Sequence, residues 1–328
     1  MKEEDIRKRE VLNRYLELVQ EDCRTIFNEK DRCGKVNCPA CGGSVYLYQF
    51  NKNGFDYVTC EECQTLFVQN RPPREKLVQF YTQSCSSTYW VREFFKPVAE
   101  VRRQAIFQPR AQHLVKQFGK DPAWVVGDIG AGFGLFMEEL RKLWPASNYI
   151  AIEPSQEQAD ICRQAGLQVE CSFFEEIEGY DGHFDLLTAF ELLEHLYDPS
   201  FFLEGVYRML RPGGWFFLTT LNGQGFDIQV LWEKSKAISP PHHLNFFNPE
   251  SLSRLLRQRG FLPVEVDTPG KLDWDIVEGM IVNEGIELGR FWKLFSEKGS
   301  IEAKQGFQDW LSRHLFSSHV RVLARKQT

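Results

Sequence analysis

From about residue 123 onward, short apolar runs alternate with amphipathic stretches, a period that predicts strand, helix and strand in succession. Strands are predicted over 124–129, 148–152, 167–171, 184–190, 214–221, 262–267 and 318–325, and helices over about 134–143, 155–165, 199–210 and 249–259. Such alternation builds a mostly parallel sheet with helices on both faces, so the expected fold class is α/β with seven strands. Residues 273–315 are apolar and predict a helical insertion before the last strand.

Upstream the pattern differs. Over residues 1–35, Ile6, Val11, Leu12, Tyr15, Leu16, Val19, Ile26 and Phe27 fall near helical spacing, as in an amphipathic helix packed on its own chain or on a partner. Residues 36–73 hold four cysteines and end in the linker Arg71-Pro72-Pro73. An aromatic-rich helical segment follows over 74–122, crowding Phe80, Tyr81, Tyr89, Trp90, Phe94 and Phe95. The domain over 123–328 comes last, and no internal repeat or low-complexity segment interrupts the chain.

With 328 residues, 43% of them hydrophobic, the chain can build one large core and a small satellite. A net charge of −6 gives no basic footprint, which disfavours nucleic acid as a partner. No run approaches the roughly 18–20 apolar residues of a membrane span. The opening Met-Lys-Glu-Glu-Asp lacks an apolar signal region, so a cytoplasmic location is expected, where nine reduced cysteines favour metal over disulfides.

Four of those cysteines carry a pattern. Cys38 and Cys41 form one C-x2-C knuckle and Cys60 and Cys63 a second, with 18 residues between them. Two such hairpins close a tetrahedron of thiolates around a structural Zn²⁺, a zinc ribbon with no open position for water. Cys23, Cys33, Cys85, Cys162 and Cys171 lack this spacing and read as ordinary small side chains.

The stretch richest in chemistry is Val125-Val126-Gly127-Asp128-Ile129-Gly130-Ala131-Gly132-Phe133-Gly134, followed by Tyr149-Ile150-Ala151-Ile152-Glu153-Pro154. An apolar strand enters a tight glycine turn, and the next strand ends on a carboxylate able to accept both hydroxyls of a ribose. The ligand is therefore a nucleoside at the carboxyl ends of the sheet. A dinucleotide dehydrogenase is the rival for this turn alone.

Three later blocks decide against that rival: Glu191-Leu-Leu-Glu194-His195 after the strand ending at Phe190, Leu210-Arg-Pro-Gly213-Gly214, and Pro240-Pro-His242-His243-Leu-Asn245. In this order the chain resembles the class I S-adenosylmethionine-dependent methyltransferases from about residue 95 to 325. The resemblance implies a Rossmann-like seven-stranded sheet. It places Asp128, Gly130, Ala131, Gly132 and Gly134 around the amino-acid part of the cofactor and Glu153 and Pro154 at its ribose. Ser172 and Phe173 would flank the adenine, and Phe190 and Glu191 would face the methionine end. Many members have an acid where Phe173 stands; here the ring would stack instead. The leading zinc ribbon is similar to that of a bacterial subgroup acting in surface-polysaccharide and secondary-metabolite pathways.

A hydroxyl acceptor needs its proton removed as the new bond forms, and an imidazole titrates near neutral pH. His243 is the first candidate base and His242 the second, with Glu191 beside them. Glu191, Glu194 and His195, placed on one helical face and joined by His242 or His243, would alternatively hold Mg²⁺ or Mn²⁺. That set is similar to the small-RNA 2′-O-methyltransferases. The leading expectation is methyl transfer to a hydroxyl of a sugar, a glycan, a nucleotide sugar or another small molecule. The alternatives are an RNA ribose methyltransferase and a non-catalytic cofactor-binding scaffold. Residues 1–35 and 273–315 are the surfaces offered to a second copy of the chain.

Overall fold

The computed structural model describes residues 2–32, 34–120 and 123–327; Cys33 lies outside the described residues. The N-terminal helix is split into α1 (Glu3–Ile6) and α2 (Arg9–Ile26). Helix α2 buries Leu12, Tyr15 and Val19 of the predicted face and Cys23 beside them, while Val11, Leu16 and Ile26 are half-buried. The cysteine-bearing segment forms three antiparallel strands, β1 (Tyr46–Lys52), β2 (Phe55–Cys60) and β3 (Leu66–Val68).

The aromatic segment is helical but irregular. α3 (Arg74–Gln83) and α4 (Cys85–Tyr89) lead into wide π-type turns over Trp90–Phe95 and Arg103–Phe107, with α5 (Ala99–Arg102) between them and α6 (Gln108–Phe118) after. Such turns open the backbone ladder and often mark functional positions.

The strand–helix alternation then follows: β4 (Val125–Ile129), α7 (Leu135–Leu143), β5 (Asn148–Ile152), α8 (Gln156–Gln164), β6 (Gln168–Glu170), β7 (Phe184–Phe190), α9 (Pro199–Met209) and β8 (Leu210–Leu221). After α10 (Phe226–Leu231) come β9 (Asn245–Phe246), α11 (Pro249–Gln258) and β10 (Phe261–Asp267). The predicted insertion is three helices, α12 (Asp273–Glu284), α13 (Arg290–Lys298) and α14 (Ile301–Arg313), ahead of β11 (His319–Lys326). Strand β8 starts four residues earlier than its expected bound, because Leu210 already pairs with Phe184 before the Arg-Pro-Gly-Gly irregularity.

The seven-stranded sheet has the order β10-β11-β8-β7-β4-β5-β6. Its pairs are parallel except around β11, which runs antiparallel to both β8 and β10. The chain builds outward from β4 to β6, then crosses to β7 on the other side of β4. That reversal leaves a crevice at the carboxyl ends of β4 and β7, the usual ligand site of an open α/β sheet.

The cysteine sheet is not free-standing. Strand β9 joins it through Asn245 opposite Phe67 and Phe246 opposite Leu66, giving the order β9-β3-β2-β1. The N-terminal segment therefore packs directly over the crevice side of the large sheet.

Candidate active site

The turn after β4 is shaped by three glycines with positive φ, at Gly130, Gly132 and Gly134. At Gly134 (φ +72°) an added Cβ would also stand 2.8 Å from Leu167 and 3.0 Å from Cys162. Gly130 is exposed, so the outer side of the turn is open to a ligand. The Gly130 and Ala131 N–H groups donate to the Ile152 carbonyl, fastening the turn to β5. Glu153 ends that strand, nearly buried at 6% exposure. Its Oε2 accepts from Gly132 N–H at 2.8 Å and its Oε1 from Ser155 N–H at 2.9 Å. Burial pushes this carboxyl up to about 6 despite both bonds.

Asp128 is buried at the end of β4, where Thr188 of β7 donates to its Oδ1 at 2.6 Å and burial raises it to about 7. Pro154 is exposed beyond Glu153, while Ser172 and Phe173 lie half-buried after β6. Phe190 packs on Phe136 at 4.6 Å between centroids. Turn, acid and Phe190 thus line one crevice through the adjacent ends of β5, β4 and β7.

Glu191 follows β7 in a left-handed backbone conformation (φ +50°). Its Oε1 accepts from Arg110 at 2.7 Å and from Thr219 Oγ1 at 2.6 Å, and its Oε2 lies 3.3 Å from His319 Nε2. Burial opposes ionisation, but the His319 and Arg110 charges together hold the carboxyl down to about 2.

Glu191, Glu194 and His195 therefore do not share one helical face. The left-handed residue breaks the turn and sends Glu191 toward Arg110, while Glu194 and His195 sit on a separate single turn, Leu193–His195. His243 joins those two: the ligand atoms of Glu194, His195 and His243 all lie within 4.8 Å of one another. Glu194 is fully buried with Thr220 donating to its Oε2 at 2.7 Å, and burial, then Glu191, pushes it far above the usual carboxylate range.

The two adjacent histidines face different surroundings. His243 Nδ1 meets the Ala237 carbonyl at 2.5 Å, and its ring stands 4.8 Å from that of His195. Burial lowers His243 to about 4 and His195 to about 3, so both are neutral at physiological pH. With Nδ1 donating to Ala237, Nε2 of His243 is the proton acceptor. His242 instead packs among Tyr15, Phe80 and Tyr81, its buried Nε2 without a partner among the described residues. Its ring stands 6.3 Å from that of His195, but it is not one of the Glu194, His195 and His243 group.

The loop bearing His243 is held from the N-terminal side. Tyr57 Oη donates to the His243 carbonyl at 2.6 Å, Tyr81 Oη to the His242 carbonyl at 3.1 Å, and Val68 N–H to the Leu244 carbonyl at 2.9 Å. Leu244 N–H in turn donates to the Glu194 carbonyl. The buried Arg71, which sequence reasoning took only as linker, donates to the Leu196 and Tyr197 carbonyls and to Asn245 Oδ1.

Cys38, Cys41, Cys60 and Cys63 come together as one four-cysteine cluster, their sulfurs within 4.8 Å of one another. Cys38–Cys63 and Cys41–Cys60 are each 3.5 Å apart, near the ~3.8 Å edge of a tetrahedron with metal–sulfur bonds of about 2.3 Å. The donor set thus fits a four-coordinate thiophilic ion. Asn248 Nδ2 donates to the Cys63 carbonyl at 2.8 Å, joining the knuckle to the start of α11.

Arg102, Arg110, Thr188, Thr219 and His319 escaped sequence reasoning. Arg102 and Arg110 lie in a segment whose aromatic residues mask any motif. His319 emerges only from the antiparallel pairing that sets it opposite Leu221.

This topology defines an open α/β class with a crevice at the switch point of its sheet, and comparison with known proteins narrows it. Residues 102–266 match a family described as a methyltransferase domain, and the chain belongs to that family. It is a methyltransferase of the S-adenosylmethionine-dependent kind. The chain is 26% identical over 165 residues to the ubiquinone biosynthesis O-methyltransferase of Hydrogenovibrio crunogenus, across 46% of this chain and 68% of that relative. It is 30% identical over 143 residues to the enzyme of the same name from Xanthomonas oryzae pv. oryzae, across 40% of this chain and 59% of the relative. Thus the match spans only about three-fifths of the Xanthomonas relative's length. A solved structure of the Burkholderia thailandensis 1,6-didemethyltoxoflavin-N1-methyltransferase shares the fold at 16% identity and a TM-score of 0.50, covering 86% of this chain and 99% of that one. Among the described residues, no helix is long and apolar enough to cross a membrane.

Proposed function

We propose that the protein transfers the methyl group of S-adenosylmethionine to a hydroxyl of a small molecule, with His243 as general base. The observation that carries the reading is a neutral, half-buried His243, its Nδ1 committed to Ala237 and its ring 4.8 Å from that of His195 on the turn after β7. O-methyl transfer in the names of the curated relatives supports it. A phenol, a sugar hydroxyl or a nucleotide sugar meets the same chemical requirement.

Glu153 would hold the ribose hydroxyls, Gly130, Ala131, Gly132, Gly134 and Asp128 the amino-acid end, Ser172 and Phe173 the adenine, and Phe190 and Glu191 the reacting end. When bound, the cofactor supplies an activated sulfonium methyl. The chain's own task is alignment, which contributes on the order of 7–11 kcal/mol in well-oriented reactions, and removal of one proton. His243 Nε2 takes that proton as the new bond forms and passes it to solvent. The Cys38, Cys41, Cys60 and Cys63 cluster would hold Zn²⁺, bracing the loop that carries His243.

A second reading, metal-assisted transfer, is favoured by the Glu194, His195 and His243 group, whose mixed oxygen and nitrogen donors suit Mn²⁺ better than Mg²⁺. Glu191 and His242 have no part in it. Metal analysis separates the two: one zinc per chain supports the metal-free base, and a second, activating ion supports the alternative. The leading proposal is tested by release of S-adenosylhomocysteine with phenol, nucleotide-sugar, amine and RNA acceptors. Turnover confined to amines or RNA would sink it.

A further inference from the structure

A tight hairpin turn in the cysteine-bearing sheet aims one lysine at the loop that carries His243. Strands β1 and β2 pair Lys52 with Phe55, leaving Asn53 and Gly54 as a two-residue turn with φ of +53° and +86°. Asn-Gly is the favoured pair for such a left-handed hairpin turn, so the end of β1 is a firm support. Lys52 stands half-buried at that end. Its Nζ donates to the Glu233 carbonyl at 2.8 Å and to the Ser235 carbonyl at 2.9 Å. Burial pulls the ammonium down to about 8, with Glu233 opposing, so the donor is charged at neutral pH.

The two carbonyls lie next to the support of the base. Trp232 enters the loop with φ +49°, an unfavourable conformation for a bulky side chain, and begins a single turn over Trp232–Lys234. Carbonyls at the end of such a turn lack partners within it. The Ser235 carbonyl also accepts from Ile238 N–H at 3.2 Å, closing a second turn with Lys236 and Ala237 at its centre. The Ala237 carbonyl in turn meets His243 Nδ1. Lys52 therefore anchors the turn whose second central residue sets the imidazole. Its neighbours in the hairpin reach the same loop: Phe50 packs edge-on against Trp232 at 5.4 Å, and Asn53 Nδ2 donates to the Pro240 carbonyl at 3.5 Å. From the other side Lys236 Nζ donates to Asn13 Oδ1 at 2.7 Å and to Glu284. That contact holds a side chain, whereas Lys52 holds the main chain.

We infer that Lys52 is a positioning residue for the transfer site: by fixing the Glu233 and Ser235 carbonyls it holds Ala237, and through Ala237 it keeps the hydrogen of His243 on Nδ1 and leaves Nε2 open to the acceptor. The inference rests on the proposed role of His243 as base and adds to it a residue of the cysteine-bearing sheet.

The test is made on the full chain. Nitrogen NMR of histidine-labelled protein, with His243 assigned from the signals lost in His243→Gln, reads which ring nitrogen carries the hydrogen. Hydrogen exchange followed by mass spectrometry reads residues 232–244. Wild type shows the Nδ1–H tautomer and a protected loop. Lys52→Gln gives a mixture of tautomers, and its loop exchanges faster by roughly tenfold or more, the scale of lost bonds to a charged donor. Exchange in β4 and β5 stays as in wild type. Lys52→Arg, whose guanidinium can also donate to two carbonyls, restores both readings. The inference is overturned if wild type lacks the Nδ1–H tautomer, if Lys52→Gln leaves tautomer and loop unchanged, or if Lys52→Arg fails as Lys52→Gln does. Global unfolding of Lys52→Gln overturns it too, since a clasp on one loop leaves the seven-stranded sheet intact. S-adenosylhomocysteine is titrated into all three proteins and binds them equally; a variant that loses it would place Lys52 in cofactor binding instead. No binding even to wild type, with the tautomer response intact, would strike the methyl-transfer reading alone.

Discussion

The backbone N–H of Gly132 donates to Oε2 of Glu153 at 2.8 Å, so the glycine turn after β4 and the acid that ends β5 form one hydrogen-bonded unit. A ribose at Glu153 would therefore report on the turn as well. Glu153→Ala should weaken S-adenosylhomocysteine binding by about 1.5–3 kcal/mol, roughly ten- to a hundredfold, as for hydrogen bonds to a charged group. Calorimetry checks this, and unchanged affinity would remove Glu153 from the ribose.

The same carboxyl predicts a pH dependence. Burial raises Glu153 to about 6, and the ribose hydroxyls donate best to its ionised form. Nucleoside affinity should be flat above that pH and fall as pH drops through it. An affinity that rises on acidification would contradict this.

His243→Ala should abolish turnover and leave nucleoside binding intact. Because burial lowers the imidazole to about 4, its neutral, basic form persists down to that pH. At saturating cofactor, kcat should show no acid limb near 6.5, the ordinary histidine value. A limb there would mean a solvated base and would shift the role away from His243.

Removing the metal should reach the active site. The knuckle leads through Thr65 into β3, which pairs with β9 two residues after His243, and Tyr57 of β2 holds the His243 carbonyl. Purified protein should carry about one zinc on four thiolates, and Cys60→Ser should lose it together with turnover. Full activity in a zinc-free variant would confine the cluster to a local role.

Gly134→Ala should cost about 1–3 kcal/mol of stability, since a left-handed residue with a Cβ is strained by about 1–2 kcal/mol and the methyl also meets Leu167 and Cys162. Gly182→Ala, with φ +64° but nothing within 4 Å, should cost less. Denaturant unfolding compares them, and equal losses would deny the close approach at the turn.

What was legible in the sequence is what local chemistry dictates. The seven strands follow from alternation, the crevice from the glycine turn and Glu153, and the cysteine cluster from its spacing. What was not legible depends on distant pairing. The union of β9 with the cysteine sheet could not be read from two residues, although it holds the His243 loop. The Glu-x-x-Glu-His spacing suggested one helical face, but the left-handed backbone at Glu191 divides it. The partners of Glu191 come from α6, β8 and β11, three elements remote in the chain.

The central claim concerns where the nucleoside sits, and a crystal structure with S-adenosylhomocysteine tests it most directly. The ribose hydroxyls are predicted on the Glu153 carboxylate, with the sulfur beyond Gly130 toward Glu191. Nucleoside density elsewhere, or a crevice filled by the protein's own side chains at saturating ligand, would contradict the account.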